Sequence, residues 1–205
     1  MVRPKRPNLR SLILGLAAVA AAAFLLVYFG TRGPGSRDTD SQDNKTAVAI
    51  GGPFSLTDQD GKKRSDADFR GQLMLVFFGY ANCPDECPLT LQNMSNALAA
   101  LGDKGASVTP IFITVDPERD TVAKLKGYAP RFSPRLVALT GTPDEIAAAA
   151  KAYRVYFAKH EESGGGYSMD HTSLVYLMDR DGHYLTHFGP DVSPQDMAAG
   201  IAKYL

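Results

Sequence analysis

Six successive apolar residues, Leu73-Met74-Leu75-Val76-Phe77-Phe78, constrain this chain more than any other feature. The run is the length of one strand. It does not alternate with polar residues, so both faces must be covered, as in an inner strand of a sheet flanked by helices. The sequence beyond it agrees. Leu91, Met94, Leu98 and Leu101 recur at steps of three, four and three, which puts one apolar stripe on a helix. Val108 to Val115 predicts a second buried strand, Asp120 to Tyr128 a helix with Asp120 as its cap, and Leu136 to Leu139 a short strand. Thr142-Pro143-Asp144-Glu145 joins a capping hydroxyl, a proline at the first helical position and a glutamate three residues after the cap, so a helix starts there and runs to about Tyr153. Phe54 to Thr57 before Asp60-Gly61 predicts an N-terminal hairpin. Ser173 to Met178 and His183 to Phe188 around Asp181-Gly182 predict another. Val155 to Ala158 reads as a strand, and Glu161 to Ser168, with Gly164-Gly165-Gly166, as a mobile loop. A last helix starts near Ser193-Pro194. Strands alternating with helices give an α/β fold with parallel central strands, and the late hairpin adds an antiparallel edge.

The N-terminal region has a different character. Arg3, Lys5, Arg6 and Arg10 crowd the first ten residues, which hold no acid, and Leu12 to Gly30 is 19 residues without a charge. As a helix that segment would reach about 28 Å, close to the hydrocarbon thickness of a bilayer. The basic cluster before it predicts a cytoplasmic N-terminus and everything after Gly30 outside. A cleaved signal peptide is the alternative, but the small residues Ala20 to Ala23 interrupt the apolar run, whereas a cleavage site follows one. The expected organisation is a basic cytoplasmic segment at 1–11, a single transmembrane anchor at 12–30, a flexible linker at 31–46 and one domain at 47–205. This places the domain in the periplasm on a bacterial inner membrane. From Thr46 onward 15 basic residues face 19 acidic ones. Such a balance argues against nucleic acid, since phosphate binding needs a basic face.

Only two cysteines occur, in Cys83-Pro84-Asp85-Glu86-Cys87-Pro88, between the buried strand and its helix. A strand–dithiol–helix order of this kind is the thioredoxin-like arrangement. Pro88 suits the first helical position, where its missing N–H costs nothing. Cys87 then falls at or near the N-cap, where exposed N–H groups and the helix dipole favour a thiolate. Pro84-Asp85 suits a tight turn returning Cys83 to Cys87. Two such thiols can form a disulfide or hold a soft metal, Cu(I) or zinc rather than magnesium or calcium. A plain disulfide clamping so small a loop would add little stability.

Two sulfurs leave a metal site short of ligands. Of the four histidines, His160 lies in a charged Gly-rich stretch and His183 and His187 lie on the late hairpin. His171 precedes a strand whose start lies beside the cysteine turn in a thioredoxin-like sheet. At this point a structural or a ligating role is open for it. Asp170 could hold the turn or orient a ring nitrogen, and Met169 could serve as packing or as a weak ligand. The acidic turn Asp116-Pro117-Glu118-Arg119-Asp120 follows a buried strand, at the carboxyl edge where ligand sites gather. Asp116 could support a site there or merely face solvent.

Together these segments resemble the Sco/SenC family of copper proteins. Three motifs carry the likeness: Phe78-Gly79-Tyr80 leading into Cys83 to Pro88, then Thr114-Val115-Asp116-Pro117-Glu118-Arg119-Asp120-Thr121, then Tyr167-Ser168-Met169-Asp170-His171-Thr172 followed by Tyr176-Leu177-Met178-Asp179. The resemblance implies a thioredoxin-like fold and a copper site, for Cu(I) and Cu(II), of Cys83, Cys87 and His171. It also implies help in building the dinuclear copper centre of cytochrome c oxidase, with the copper-receiving subunit as partner and another copper carrier or a thiol reductant as a further one. Ala81-Asn82 and Glu86 depart from the family's usual residues at positions that are not ligands.

Two rival functions use the same residues. A membrane-anchored thiol–disulfide oxidoreductase would act by exchange at Cys83 and Cys87. Against it, the cysteines are separated by three residues rather than two, and no proline lies between Asp144 and Gly189 to stand opposite them. A peroxidase would need one activated thiolate in its own threonine and arginine setting, which the sequence does not display.

Overall fold

The computed structural model of the chain describes residues 49–133 and 135–205. The expected anchor at 12–30 and linker at 31–46 lie outside these. Among the described residues no helix is long and apolar enough to cross a membrane. In chain order the elements are β1 (Ser55–Asp58), β2 (Lys63–Ser65), β3 (Leu73–Gly79), α1 (Glu86–Ala100), β4 (Val108–Thr114), α2 (Val122–Tyr128), β5 (Val137–Thr140), α3 (Pro143–Ala152), β6 (Phe157–Glu161), β7 (Tyr167–His171), β8 (Val175–Met178), β9 (Tyr184–Phe188) and α4 (Pro194–Ala202). Seven strands form one sheet in the order β2-β1-β5-β4-β3-β8-β9, and β6 and β7 form a separate two-stranded sheet.

The apolar run becomes β3, and all seven of its residues are buried. It pairs in parallel with β4, from Leu73 opposite Val108 to Gly79 opposite Thr114. Because that register is level, the loops after β3 and β4 leave the sheet at the same edge. On its other side β3 pairs antiparallel with β8, with Phe77 opposite Val175. The start of β8 therefore lies beside the end of β3, and the chain just before β8 reaches the same edge. Most of the expected helical stripe is present: Leu91, Met94 and Leu98 of α1 are buried, with Ala97 and Thr90 alongside, while Leu101 is the C-cap and half-buried. Burying side chains of this size contributes about 1.5–3 kcal/mol each. The central sheet and its covering helices are thus the rigid part of the molecule.

Two expectations need correcting. The helix after β4 is capped by Thr121, whose hydroxyl accepts from the Lys124 N–H at 3.3 Å. Asp120 is not the cap; it is fully buried. The segment Glu161 to Ser168 is not a free loop either. Phe157–Glu161 and Tyr167–His171 pair antiparallel from Phe157 opposite His171 to Glu161 opposite Tyr167, and the glycines make the hairpin's tip. Gly165 and Gly166 both have positive φ there, which only glycine adopts without strain.

At α3 the reading of the sequence holds in detail. The Thr142 hydroxyl accepts from the Glu145 N–H at 3.2 Å while the Glu145 carboxylate accepts from the Thr142 N–H at 2.8 Å. Thr142→Ala removes half of this reciprocal cap. It is expected to lower stability by about 1 kcal/mol, measurable as a shift in the urea midpoint at unchanged slope.

Candidate metal centre

The cysteine loop begins where β3 runs out. The Cys83 N–H donates to the Tyr80 carbonyl at 3.2 Å, closing a turn, and the Cys87 N–H donates to Cys83 Sγ at 3.4 Å. Helix α1 starts earlier than the prolines suggest, with Asp85 at its N-cap and Cys87 already in the first turn. Cys87 is completely buried, whereas Cys83 is half-buried. Gly79 makes room for that sulfur. A Cβ at position 79 would lie 3.0 Å from Cys87 Sγ, 2.9 Å from the Phe77 ring and 3.1 Å from the Phe112 ring. Burial pushes the Cys87 thiol up, with the charges around Cys83 and Glu86 adding in the same direction. The helix terminus does not offset this, so the expected readily ionised thiol is replaced by one that holds its proton.

The imidazole arrives from β7. Side chains alternate along a strand. Tyr167, Met169 and His171 therefore share one face, while Asp170 lies on the other and is exposed. His171 Nε2 stands 3.4 Å from Cys87 Sγ, across 84 positions of sequence. Its Nδ1 lies 3.2 Å from the Thr172 carbonyl. A carbonyl can only accept, so in the neutral ring Nδ1 carries the proton and Nε2 turns its lone pair toward the sulfur. The ring stands edge-on to Phe77 at 5.9 Å and to Tyr80 at 6.0 Å between centroids. Orientation of the ring thus comes from Thr172 and two aromatic neighbours. Asp170, expected in that role, points away from it because of its position in the strand alternation.

Asp116 is buried and serves the hairpin, not the imidazole directly. Its Oδ1 accepts from the Tyr167 hydroxyl at 2.9 Å, and its Oδ2 accepts from Arg119 Nε. Arg119 also donates to the Tyr167 carbonyl at 2.8 Å and lies over the Tyr167 ring at 3.6 Å. Burial and the bond to Asp116 push the Tyr167 phenol up to about 12, so it stays a donor at neutral pH. These contacts fasten the start of β7, four residues before His171, to the turn after β4. Tyr167, Arg119, Tyr80 and Thr172 were not singled out from the sequence. All four sit inside its quoted motifs, and that proximity is the only signal for them.

Of the other histidines, His160 is exposed on β6, His183 meets Asp179 at 3.3 Å and His187 meets the Tyr184 hydroxyl at 2.6 Å. Of the four histidines, all among the described residues, only His171 bonds to a cysteine sulfur. Met169 is buried as packing on β7. The unequal burial of the two thiols gives a measurable difference. With iodoacetamide at pH 7.5, Cys87 in a Cys83→Ser variant is expected to alkylate at least about tenfold more slowly than Cys83 in a Cys87→Ser variant, followed by mass spectrometry.

Residues 42–205 match the family model described as SCO1/SenC. The human mitochondrial protein SCO1 homolog is 40% identical over 159 residues, covering 76% of this chain and 53% of its own length. The chain therefore spans about half the length of that curated relative. Among solved structures, Bradyrhizobium japonicum ScoI with copper bound is 49% identical with a TM-score of 0.71, covering 77% of this chain and all of that one. BsSco, a protein with a disulfide switch and a member of the Sco family of cytochrome c oxidase assembly proteins, is 28% identical with a TM-score of 0.61, covering 77% of this chain and 94% of its own. A thioredoxin-like α/β domain, a dithiol at the edge of its sheet and a match across the whole described region agree with one another, and the chain belongs to the SCO1/SenC family.

Proposed function

We propose that this chain binds copper through Cys83, Cys87 and His171 and assists assembly of the dinuclear copper centre of cytochrome c oxidase. The observation that carries the reading is the 3.4 Å approach of His171 Nε2 to Cys87 Sγ, with Cys83 Sγ tied to the Cys87 N–H. Two sulfurs and one imidazole nitrogen form a donor set that accepts both Cu(I) and Cu(II). The copper-bound relative at 49% identity and the oxidase-assembly role of BsSco support it.

In this reading copper is cargo. Nε2 already turns its lone pair to the Cys87 sulfur, so no tautomer change precedes binding. The thiols must give up their protons, and burial makes the Cys87 proton the more tightly held. Arg119, Asp116 and Tyr167 keep the β7 end of the site seated while the half-buried Cys83 side remains open to a partner. Copper leaves by ligand exchange to the copper-receiving subunit of the oxidase, with another copper carrier loading the site or a thiol reductant keeping Cys83 and Cys87 reduced. The segment Leu12 to Gly30 is the membrane anchor, with the domain on the periplasmic face of a bacterial inner membrane. Residues 31–46 are the tether that raises the effective concentration of donor and acceptor.

Titration of the reduced chain in detergent with Cu(I) against a competing chelator, and with Cu(II) by sulfur-to-copper absorption, is expected to show one equivalent of each. His171→Ala should weaken Cu(II) binding by more than about tenfold. Histidine-independent, weak binding together with turnover of a disulfide substrate would replace this reading with the oxidoreductase one. Because protons are displaced, the apparent affinity should rise with pH between 6 and 8, by about tenfold per unit for each proton released. A flat profile would contradict the displacement of the Cys87 proton.

A further inference from the structure

Asp120 is fully buried and caps no helix. Its Oδ2 accepts from the Ala81 N–H at 2.9 Å and from the Thr114 hydroxyl at 2.6 Å, while its Oδ1 is buried without a partner among the described residues. Burial pushes its carboxyl up, against the pull of the two donors. A carboxyl placed so is costly to the fold, because one oxygen has lost water and gained nothing. Stability therefore does not explain the residue. What it contacts does.

Ala81 stands two residues before Cys83, in the turn that the Cys83 N–H closes on Tyr80. Beside Ala81 lies a recess of about 300 Å³ that Lys124 and Tyr128 also line. Thr114 ends β4 and its oxygen also accepts from the Asp116 N–H at 2.9 Å. One carboxyl thus ties the cysteine loop to the rigid end of the sheet, and through Thr114 to the turn that fastens the histidine hairpin.

We propose that Asp120 is a positioning residue that holds the Ala81–Cys83 turn and so sets how closely the two sulfurs face each other. The proposal builds on the dithiol of the function proposed above, and its test needs no metal. The full chain in detergent is equilibrated, metal-free and at fixed pH, with mixtures of reduced and oxidised glutathione. Oxidised glutathione takes two electrons and two protons from Cys83 and Cys87, giving their disulfide and two reduced glutathiones. The equilibrium constant reports the effective concentration of one thiol at the other.

Asp120→Ala, which removes both bonds, is expected to lower that constant by about tenfold. Asp120→Asn keeps an acceptor oxygen at the same place and is expected to stay within about threefold of the wild type. Leu56→Ala, in β1, opens a cavity in the core and should cost stability without moving the constant. An unchanged constant in Asp120→Ala overturns the proposal. So does an equal fall in Asp120→Asn, which would mean a charge effect, or in Leu56→Ala, which would mean general loosening. Should Asp120→Ala fail to fold, hydrogen exchange at the Ala81 amide decides. Slow exchange in wild type and Asp120→Asn supports a held turn, and exchange as fast as in an exposed loop overturns it. Failure of the wild type to bind copper sinks the function proposed above and leaves this equilibrium to be read on its own.

Discussion

The contact between the Cys87 sulfur and the His171 imidazole spans 84 positions, and everything distinctive about this site depends on it. Neither group could hold that geometry alone. The sulfur is fixed because β3 is buried on both faces and ends in a residue without a side chain, which lets α1 press Cys87 against the strand. The ring is fixed because β8 pairs antiparallel with β3, so the chain entering β8 passes the same edge. The chemistry at the edge is an outcome of sheet register.

The turn after β4 joins the two halves. Asp120 reaches the cysteine loop, while Asp116 and Arg119 reach the histidine hairpin, and Thr114 bonds to both aspartates. Within the turn the Arg119 cation lies against Asp116 and over the Tyr80 and Tyr167 rings. The structure of this acidic stretch therefore supports a mechanical role for it. Its members hold backbone and side chains in place.

Much of this was legible in the residues. A continuous apolar run identifies β3, and the shorter run Ile111-Phe112-Ile113 marks β4, as expected of strands covered on both faces. The capping box at Thr142 and the Asp181-Gly182 turn are local chemistry and read correctly. The thiol pair stands out by its spacing. Other features needed the third dimension. Phe157-Ala158-Lys159-His160-Glu161 and Tyr167-Ser168-Met169-Asp170-His171 are mostly polar, so their pairing left no strong apolar alternation, and the glycines between them suggested a loop. Asp120 and Thr121 are both capping residue types, and only burial shows that the threonine caps while the aspartate turns inward. Asp170 adjoins His171 in sequence, yet strand alternation puts it on the opposite face. For Cys87 the helix terminus argued for a thiolate, and desolvation, invisible in the sequence, outweighs it.

The ladder of β6 and β7 belongs to a sheet of its own. Swinging the nitrogen donor away therefore breaks none of the seven-stranded sheet's hydrogen bonds. Its energetic cost lies in the hairpin's contacts with the body: the bonds of Arg119 and Asp116 to Tyr167, the Lys159–Glu118 ion pair and the burial of Met169. Such an arm can yield while the sulfurs stay seated. In the copper reading proposed above, an ion leaving this way would be held by the two sulfurs alone while the body of the domain stays folded.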